Sequence, residues 1–287
     1  MVDEKFELAA VIFRLAGYQE YNYLESGYQK EVAETFSTFK NHEAAEYAKS
    51  LGFSYDKVLK FAVHIEKRGN KFVFINDTNS LYGKWHWNKE NAAKFLKLFN
   101  KFYIDAGYSD FFGSHIELFE ERMKKFIDAI YGKIDFDWFG KYIDKSNLRC
   151  IYSLSSGNYA ATVNQKIIYS LVYSDGGAVF HEFCHGIANP LAEKWLDDNP
   201  DFKKWCDESI NIEKMPFYNN SWAMACEYVT RAYNVLYHVQ HGANLEDLLE
   251  NERNHIFEGS FKYINEVYNM ILRLENKSYA HSYRERD

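Results

Sequence analysis

Two histidines and a glutamate in the stretch Ala178–Ala188, AVFHEFCHGIA, have the types and spacing of a zinc site. His181 and His185 are four residues apart, so a helix places both on one face, one turn apart. Glu182 follows the first histidine and could take a proton from a metal-bound water molecule. The pattern H-E-x-x-H therefore predicts one zinc ion (Zn²⁺) per chain, with Glu182 as the general base.

The alternative interpretation is a buried helix that contains this pattern by chance. Apart from the motif, the stretch Ala178–Ala188 is uncharged and mostly apolar. Three polar groups buried there without partners would cost on the order of 1–3 kcal/mol each. A bound metal would satisfy all three groups, and we therefore favour the metal interpretation.

A catalytic zinc site needs a third protein ligand and an open position for water. The extended pattern H-E-x-x-H-x-x-G-x-x-H is absent, because Ala188 and Leu191 stand at its Gly and His positions. The predicted helix Asn219–Gly242 contains Glu227 in the apolar turn WAMACEYV. A lone carboxylate there is costly unless it is paired or metal-bound. Glu227 is the predicted third ligand, and an ion pair with Arg231 is the alternative.

The other candidate ligands are weaker. Asp207 and Glu208 lie in a more polar stretch, and His238 follows late in the second helix. Cys184 faces away from the two histidines on a helix, and Cys226 precedes the glutamate. We interpret both as small packing residues. No C-x-x-C pair occurs, so the four cysteines predict neither a disulfide framework nor a zinc knuckle.

Composition excludes some partners and leaves the compartment open. A net charge of -7 and the lack of a glycine-rich phosphate loop argue against nucleic acid. No apolar run is long enough to predict a membrane span. The beginning MVDEKFELAAVIFRLAG favours an amphipathic helix over a signal peptide. The protein is expected to be cytoplasmic, or exported with a signal that this sequence does not contain.

Residues 1–146 are predicted to form a helical N-terminal region. Apolar residues recur there at spacings of three and four, and Gly17 is a predicted C-cap of the first helix. The last predicted helix is long and capped by Ser109 or Asp110. KFVFIND is a predicted short strand. The helical segments are DEKFELAAVIFRLAG, QKEVAETFSTF, HEAAEYAKSLG, SYDKVLKFAVHIEK, NKENAAKFLKLFNKFYIDAG and SDFFGSHIELFEERMKKFIDAIYGKI.

Residues 147–287 are predicted to form the metal-binding region. LRCIYSLSSGNYAATVNQKIIYSLVYSD is rich in β-branched and aromatic residues, which predicts two or three antiparallel strands. The motif helix follows and should end near Asn189–Pro190, and Asn220 or Ser221 should cap the later helix. The predicted fold class is α+β and predominantly helical, with a small antiparallel sheet before the active-site helix, in one compact unit of 1–287.

With these residues in place, the sequence resembles gluzincin-type zinc metallopeptidases, the thermolysin-like branch of the H-E-x-x-H enzymes. The resemblance implies a zincin-like catalytic core and a peptide or protein substrate. In that branch an edge strand with an Asn-Ala-like element precedes a hairpin and the active-site helix, and GNYAATVNQKIIYSLVYSDGGAVFHEFCH follows that order. The resemblance implies that the edge residues bind peptide as an added strand; these are Asn158, Tyr159, Ala160 and Ala161.

The whole chain is also similar to an uncharacterised bacterial family, known only as a domain of unknown function. ELAAVIFRLAGYQEYN resembles the beginning of that family, and WAMACEYVTRAY resembles its later glutamate helix. This resemblance implies no established substrate. Many members are exported, which is why the compartment stays open.

Two further roles depend on the resemblance. Thermolysin-like enzymes often carry an acidic residue four positions after the ligand glutamate, where this chain has Arg231. Either the support of the ligands is rebuilt, or Arg231 contacts an anion or oxyanion of the substrate. The family tail carries a tyrosine, which implies that Tyr279 of NKSYAHSYRERD stabilises the oxyanion. His281, Tyr283, Arg231 and Tyr233 are the alternatives.

The sequence therefore predicts zinc-dependent hydrolysis of a peptide bond. Zinc on His181, His185 and Glu227 would lower the pKa of its water to about 7. Glu182 would take the proton and pass it to the leaving amine. Three alternatives stay open: a zinc hydrolase of a small amide or cell-wall peptide, a non-catalytic peptide-binding protein, and a helical interaction protein without metal.

Overall fold

The structure is a computed structural model of the 287-residue chain. It describes residues 2–22, 26–52, 57–82, 87–129, 131–144, 146, 148–155, 159–163, 166–171, 176–213, 218–254 and 261–284. Only the backbone is described at residues 20, 131, 148, 159–163, 166–171, 176–178 and 277–284. The described residues are predominantly helical, with two small sheets.

The helices and strands follow one another in this order. The helices are α1 Glu4–Leu15, α2 Gly27–Thr35, α3 Glu43–Ser50, α4 Lys57–Val63, α5 Lys89–Asp105, α6 Tyr108–Ser114, α7 Ile116–Ala129, α8 Phe136–Phe139, α9 Gly176–Asp198, α10 Pro200–Ser209, α11 Ser221–Gln240, α12 Leu245–Arg253 and α13 Ile264–Arg284. The strands are β1 Ile65–Arg68, β2 Lys71–Phe74, β3 Leu148–Tyr152, β4 Tyr159–Val163 and β5 Lys166–Leu171.

The chain divides into two compact units. The first contains Met1–Asp135 and Asp144–Val179, and the second contains Phe136–Ile143 and Phe180–Asp287. The strands β3 to β5 therefore group with the N-terminal helices. The sequence predicts a boundary between the two regions at residues 146 and 147, before these strands. The backbone of Val2 bridges to Tyr152 just before α1, which joins the sheet to those helices.

The first unit is built around α1. Every residue of this helix from Phe6 to Phe13 is buried, and it packs against α3 and α4. Aromatic rings fill much of the surrounding core, as the Phe61–Phe95 pair shows with its ring centroids 4.7 Å apart. These rings meet edge to face, the geometry that aromatic quadrupoles favour. The many aromatic residues of this unit therefore serve packing.

The larger sheet is mixed, in the strand order β3-β5-β4. The predicted antiparallel pairing is confirmed for β4 with β5, but it is wrong for β3, which runs parallel to β5. Composition identifies strand residues but does not specify which strand pairs with which. β4, which contains the predicted substrate-binding residues Tyr159, Ala160 and Ala161, lies at an edge of the sheet, and Asn158 lies outside the described residues.

Two of the helices predicted for the N-terminal region differ in the structure. SYDKVLKFAVHIEK was predicted as one helix, but α4 ends at Val63 and β1 follows, paired antiparallel with the correctly predicted β2. The long helix after Gly107 is divided into α6 and α7 at His115 and begins at Tyr108, before the predicted caps. The His115 ring donates from Nδ1 to the carbonyl of Phe111 at 2.7 Å, which competes with regular helix bonding.

The second unit is built around α11. Its residues from Met224 to Tyr233 are all buried, and it packs against α10, α12 and α13. The Oδ1 atom of Asn220 accepts the N–H of Ala223 at 3.0 Å, which confirms the N-cap predicted for this helix. In the described residues, no helix is sufficiently long and apolar to cross a membrane.

Helix α9 does not end where the sequence predicted. It continues through Pro190 to Asp198, although an interior proline removes one helical hydrogen bond and costs about 3 kcal/mol. Ala188 and Ala192, on either side of the proline, are fully buried. We attribute the continuation to this packing, which the prediction from the proline alone did not include.

Candidate metal centre

The three predicted ligands meet between α9 and α11. Glu227 reaches both histidines: its Oε1 lies 3.3 Å from Nε2 of His181, and its Oε2 lies 3.7 Å from Nε2 of His185. The two imidazole rings lie one turn apart on α9, with ring centroids 4.9 Å apart. The helical spacing of four thus brings both Nε2 atoms toward one carboxylate.

These separations are compatible with a common metal ion. Two ligand atoms that each lie about 2.0–2.1 Å from zinc at a tetrahedral angle are about 3.3 Å apart. The observed 3.3 and 3.7 Å are near that value, but each joins one histidine to a different oxygen of Glu227. The compact group of candidate ligands among the described residues is His181, Glu182 and His185, and Glu227 lies beside it. Two nitrogen atoms and one carboxylate oxygen are also the donors that a catalytic zinc site uses.

The two histidines are partly accessible to solvent, whereas Glu227 is buried. The side chains of His181 and His185 retain 18% and 17% of their exposure, whereas Glu227 retains 3%. The carboxylate is therefore inside the protein and the imidazoles border solvent. A metal held there could keep a fourth position for water or substrate, as catalysis requires.

Glu182 belongs to the same group of side chains. One ligand atom from each of His181, Glu182 and His185 can be chosen so that all lie within 4.8 Å of one another. Burial raises the pKa of Glu182 to about 7, with His185 opposing the shift and Glu227 adding to it. A carboxyl group with a pKa near neutrality suits a general base, because it can both take and return a proton.

The orientation of His185 is fixed by two oxygen atoms. Its Nδ1 lies 2.9 Å from Oγ1 of Thr230 on α11 and 3.0 Å from Oδ1 of Asn189, one turn further along α9. Because Oδ1 of Asn189 can only accept a hydrogen bond, this contact favours the tautomer of His185 with its hydrogen on Nδ1. Nε2, which faces Glu227, is then left with the lone pair that a metal needs.

Glu227 also has a buried cationic partner. Arg231 donates to its Oε1 from Nε and from Nη2, both at 2.8 Å, one turn along α11. Nη1 of the same guanidinium donates to Oε2 of Glu252 at 2.6 Å, and its Cζ lies 4.2 Å from the Phe261 ring centroid. Arg231 is therefore held between two carboxylates, and it is buried rather than presented to a substrate oxyanion.

The charge state of Glu227 follows from these neighbours. Burial by itself would raise its pKa, but the interactions with His181 and Arg231 outweigh burial and hold the pKa well below its usual range. Glu227 is therefore ionised at neutral pH, and a metal ligand must be ionised. The ion pair with Arg231, which was the alternative interpretation, coexists here with the approach to both histidines.

The cysteines beside the ligands are packing residues. Cys184 and Cys226 are buried free thiols, and burial raises the pKa of each above its usual value. The thiolate needed for zinc binding is disfavoured in both. Neither cysteine belongs to the candidate metal-binding group found in the described residues.

Other predicted residues lie away from these side chains or are described only in part. Tyr233 is buried against the ring of Tyr142, so its hydroxyl group is not presented to solvent. Asp207 bonds Lys203 on an exposed surface. The backbone of Tyr279, His281 and Tyr283 belongs to α13, and their side chains lie outside the described residues, so their predicted roles stay predictions.

Three residues that orient the candidate ligands were missed in the sequence. Asn189 is four residues after His185, and Thr230 is three residues after Glu227, so helical spacing could have identified both. Glu252 comes from α12 and reaches the ligands only through Arg231. Its position depends on how α12 packs, for which the sequence carries no local pattern.

Comparison with known proteins identifies no relative of this chain. No family model matches the sequence, and no curated protein and no solved structure matches it either. The functional interpretation therefore rests on the side chains described above.

Proposed function

We propose that this protein is a zinc-dependent hydrolase, and more specifically a metallopeptidase with a zincin-like core. His181, His185 and Glu227 would hold the zinc ion. The observation that carries the proposal is the approach of the Glu227 carboxylate to both histidines, with Oε1 3.3 Å from Nε2 of His181 and Oε2 3.7 Å from Nε2 of His185.

The chain's own residues supply the remaining chemistry. A zinc ion bound there would polarise the scissile carbonyl and lower the pKa of a bound water to about 7. Glu182 would serve as the general base that accepts a proton from water and as the acid that returns it to the leaving amine. Thr230 and Asn189 keep the His185 ring in its orientation, and Arg231 fixes the Glu227 carboxylate.

Oxyanion stabilisation is assigned to Tyr279 in this proposal. Arg231 is unsuited to it, because its guanidinium is already engaged by two carboxylates. Tyr279 lies on α13, which packs against α11, the helix of Glu227. A phenol hydroxyl can donate to a developing oxyanion without carrying a charge of its own.

Peptide binding is assigned to strand β4. Tyr159, Ala160 and Ala161 belong to this strand at the edge of the three-stranded sheet. An edge strand can pair with an extended peptide through its main-chain N–H and C=O groups.

A purely structural ion network is the second candidate. The Glu227–Arg231–Glu252 contacts favour it, since buried ionic groups can stabilise a fold without binding any metal. In that case the histidines would serve as further partners of Glu227, and the protein would not hydrolyse peptides.

Metal content separates the two candidates. Zinc would be measured by mass spectrometry on purified wild type and on the variants Glu227→Ala, Glu182→Gln and Glu193→Gln. Glu193 is an exposed glutamate of α9 and serves as the matched control. We expect about one zinc per chain in wild type, Glu182→Gln and Glu193→Gln, with weaker retention in Glu227→Ala.

A peptide-library assay then tests the chemistry. Cleavage by the wild type and by Glu193→Gln, together with its loss in zinc-loaded Glu182→Gln, would support the metallopeptidase. Wild-type protein that takes up no zinc even after reconstitution would refute the site and favour the ion network. Zinc binding without cleavage of any peptide would direct the search to small amides or to a binding role.

A further inference from the structure

Glu252 of α12 is connected to the candidate metal centre through the guanidinium of Arg231. Its side chain retains 15% exposure, and its Oε2 accepts from Nη1 of Arg231 at 2.6 Å. The same guanidinium donates from Nε and Nη2 to Oε1 of Glu227, both at 2.8 Å. One buried cation therefore bonds two carboxylates, one from a candidate ligand and one from a separate helix.

Packing holds the guanidinium of Arg231 in this place, together with its two acceptors. Its side chain is buried, and its Cζ lies 4.2 Å from the ring centroid of Phe261, a contact that is favourable for a cation. Helix α12 packs against α11, which contains Arg231, and against α13. The positive charge of Arg231 is therefore fixed close to Glu227.

A fixed cation beside a metal ligand opposes the binding of a metal ion. Charges in a buried site interact strongly, because little water is present to screen them. A guanidinium that donates twice to Oε1 of Glu227 also makes this carboxylate a weaker electron donor to zinc. Arg231 alone would therefore lower the zinc affinity of the site.

The charge of Glu252 offsets this opposition. The charges of Glu227 and Arg231 cancel, so a zinc ion would meet a neutral pair if Glu252 were absent. With Glu252 the three side chains carry one negative charge, which attracts a divalent cation. The bond from Nη1 to Glu252 also directs part of the guanidinium charge away from Glu227.

We propose that Glu252 is a positioning residue of the metal centre, and that it sets the zinc affinity by balancing the charge of Arg231. The inference rests on the proposed zinc site and assigns α12 a part in it. A displacement of α12 that withdrew Glu252 would weaken zinc binding without moving any ligand.

The experiment measures the Kd for zinc by competition with a chromophoric chelator, on purified wild type, Glu252→Gln and Glu250→Gln. Glutamine keeps the size of Glu252 and can still accept from Arg231, but it carries no charge. Glu250 is an exposed glutamate of the same helix, so its variant is a matched control for the loss of one charge. We expect the Kd to rise about tenfold in Glu252→Gln and to keep its wild-type value in Glu250→Gln.

The Tm of the metal-free protein separates this role from a purely structural one. A structural Glu252 would lower the metal-free Tm of Glu252→Gln and leave the zinc Kd unchanged. That result would overturn the inference while the zinc site remained. Wild type that binds no zinc would refute both. Glu252→Asp keeps the charge on a shorter stem and should bind zinc more tightly than Glu252→Gln.

A second variant keeps the test decisive if Glu252→Gln does not fold. Arg231→Met removes the cation on which Glu252 acts, so its zinc Kd should fall below that of wild type. A higher Kd in Arg231→Met would overturn the inference, because Arg231 would then support the metal rather than oppose it.

Discussion

Replacing Arg231 with methionine tests whether Glu227 is a metal ligand or only half of an ion pair. Arg231 is 8% exposed, and its guanidinium joins Glu227 to Glu252 while its Cζ lies 4.2 Å from the ring centroid of Phe261. Methionine keeps an apolar stem of similar length and removes every donor of the guanidinium. Both carboxylates then lose their cation.

The expected loss of stability is large. The carboxylates of Glu227 and Glu252 retain only 3% and 15% exposure, so water cannot replace the guanidinium for either one fully. Removing one partner of a buried ion pair costs about 3–5 kcal/mol. At roughly 2–4 °C per kcal/mol, the Tm of metal-free Arg231→Met should fall by roughly 6–20 °C.

Zinc should restore much of that stability if Glu227 is a ligand. In the variant, the metal supplies the positive charge that Arg231 no longer gives to Glu227, so the zinc-induced rise in Tm should exceed the rise measured for wild type. Calorimetry with and without zinc measures both rises. A rise in Arg231→Met that is no larger than in wild type would refute the reasoning and assign the pair a structural role.

Arg253→Met is the matched control in the same unit. Arg253 pairs with Glu246 at 2.8 Å, but Glu246 is 72% exposed and remains hydrated when the pair is lost. Exposed pairs contribute about 0–1 kcal/mol. Arg253 also donates from Nη1 to Oδ1 of Asn265 at 2.5 Å, a bond that the variant loses as well. The Tm of Arg253→Met should therefore fall less than that of Arg231→Met, and its response to zinc should equal that of the wild type.

Three further predictions follow from single side chains. Thr230→Val should weaken zinc binding by about tenfold in a calorimetric titration. This is the lower end of the effect of removing a residue that orients a ligand, because Asn189 still accepts from His185. An unchanged Kd for zinc would contradict the orienting role of Thr230. The kcat/KM for peptide cleavage should rise with pH along a limb whose apparent pKa is no higher than about 7. Burial raises the Glu182 pKa to about 7, and a bound zinc ion would favour the ionised carboxylate. A kcat/KM that does not change between about pH 5 and 8 would argue against Glu182 as the base. Burial raises the Glu7 pKa from 4.5 to about 7, so the native state holds this proton more tightly than the unfolded state. The free energy of unfolding should therefore fall by up to roughly 3 kcal/mol as the pH rises through this range. Urea titrations at several pH values measure this slope, and the prediction fails if Glu7→Gln, which cannot take up the proton, shows the same slope as the wild type.

The sequence indicated the candidate ligands because their pattern is local. His181 and His185 are brought together by one helical turn, and an acid in the apolar turn around Glu227 is conspicuous without any structure. The cap at Asn220 is equally local, since its side chain bonds a backbone group three residues on. Contacts within one turn of helix can be predicted from spacing alone.

The sequence did not indicate features that depend on distant partners. The parallel pairing of β3 with β5 is decided by the neighbouring strands and helices, and β-branched composition is the same in either direction. The continuation of α9 through Pro190 depends on buried alanines whose burial is a tertiary property. Glu252 reaches the candidate metal centre through Arg231 from another helix, which no spacing reveals.

The reaction of the buried cysteines with alkylating reagents measures local unfolding. Cys184 directly precedes His185 and Cys226 directly precedes Glu227, and both are protected from alkylating reagents by burial. A reagent can reach them only when α9 or α11 opens, so their labelling rates report the opening of the helices that hold the ligands. Cys150, a partly exposed thiol of the first unit, should label first and provides an internal reference. Slower labelling of Cys184 and Cys226 in the presence of zinc would measure, residue by residue, how strongly the metal stabilises the helices that hold the ligands.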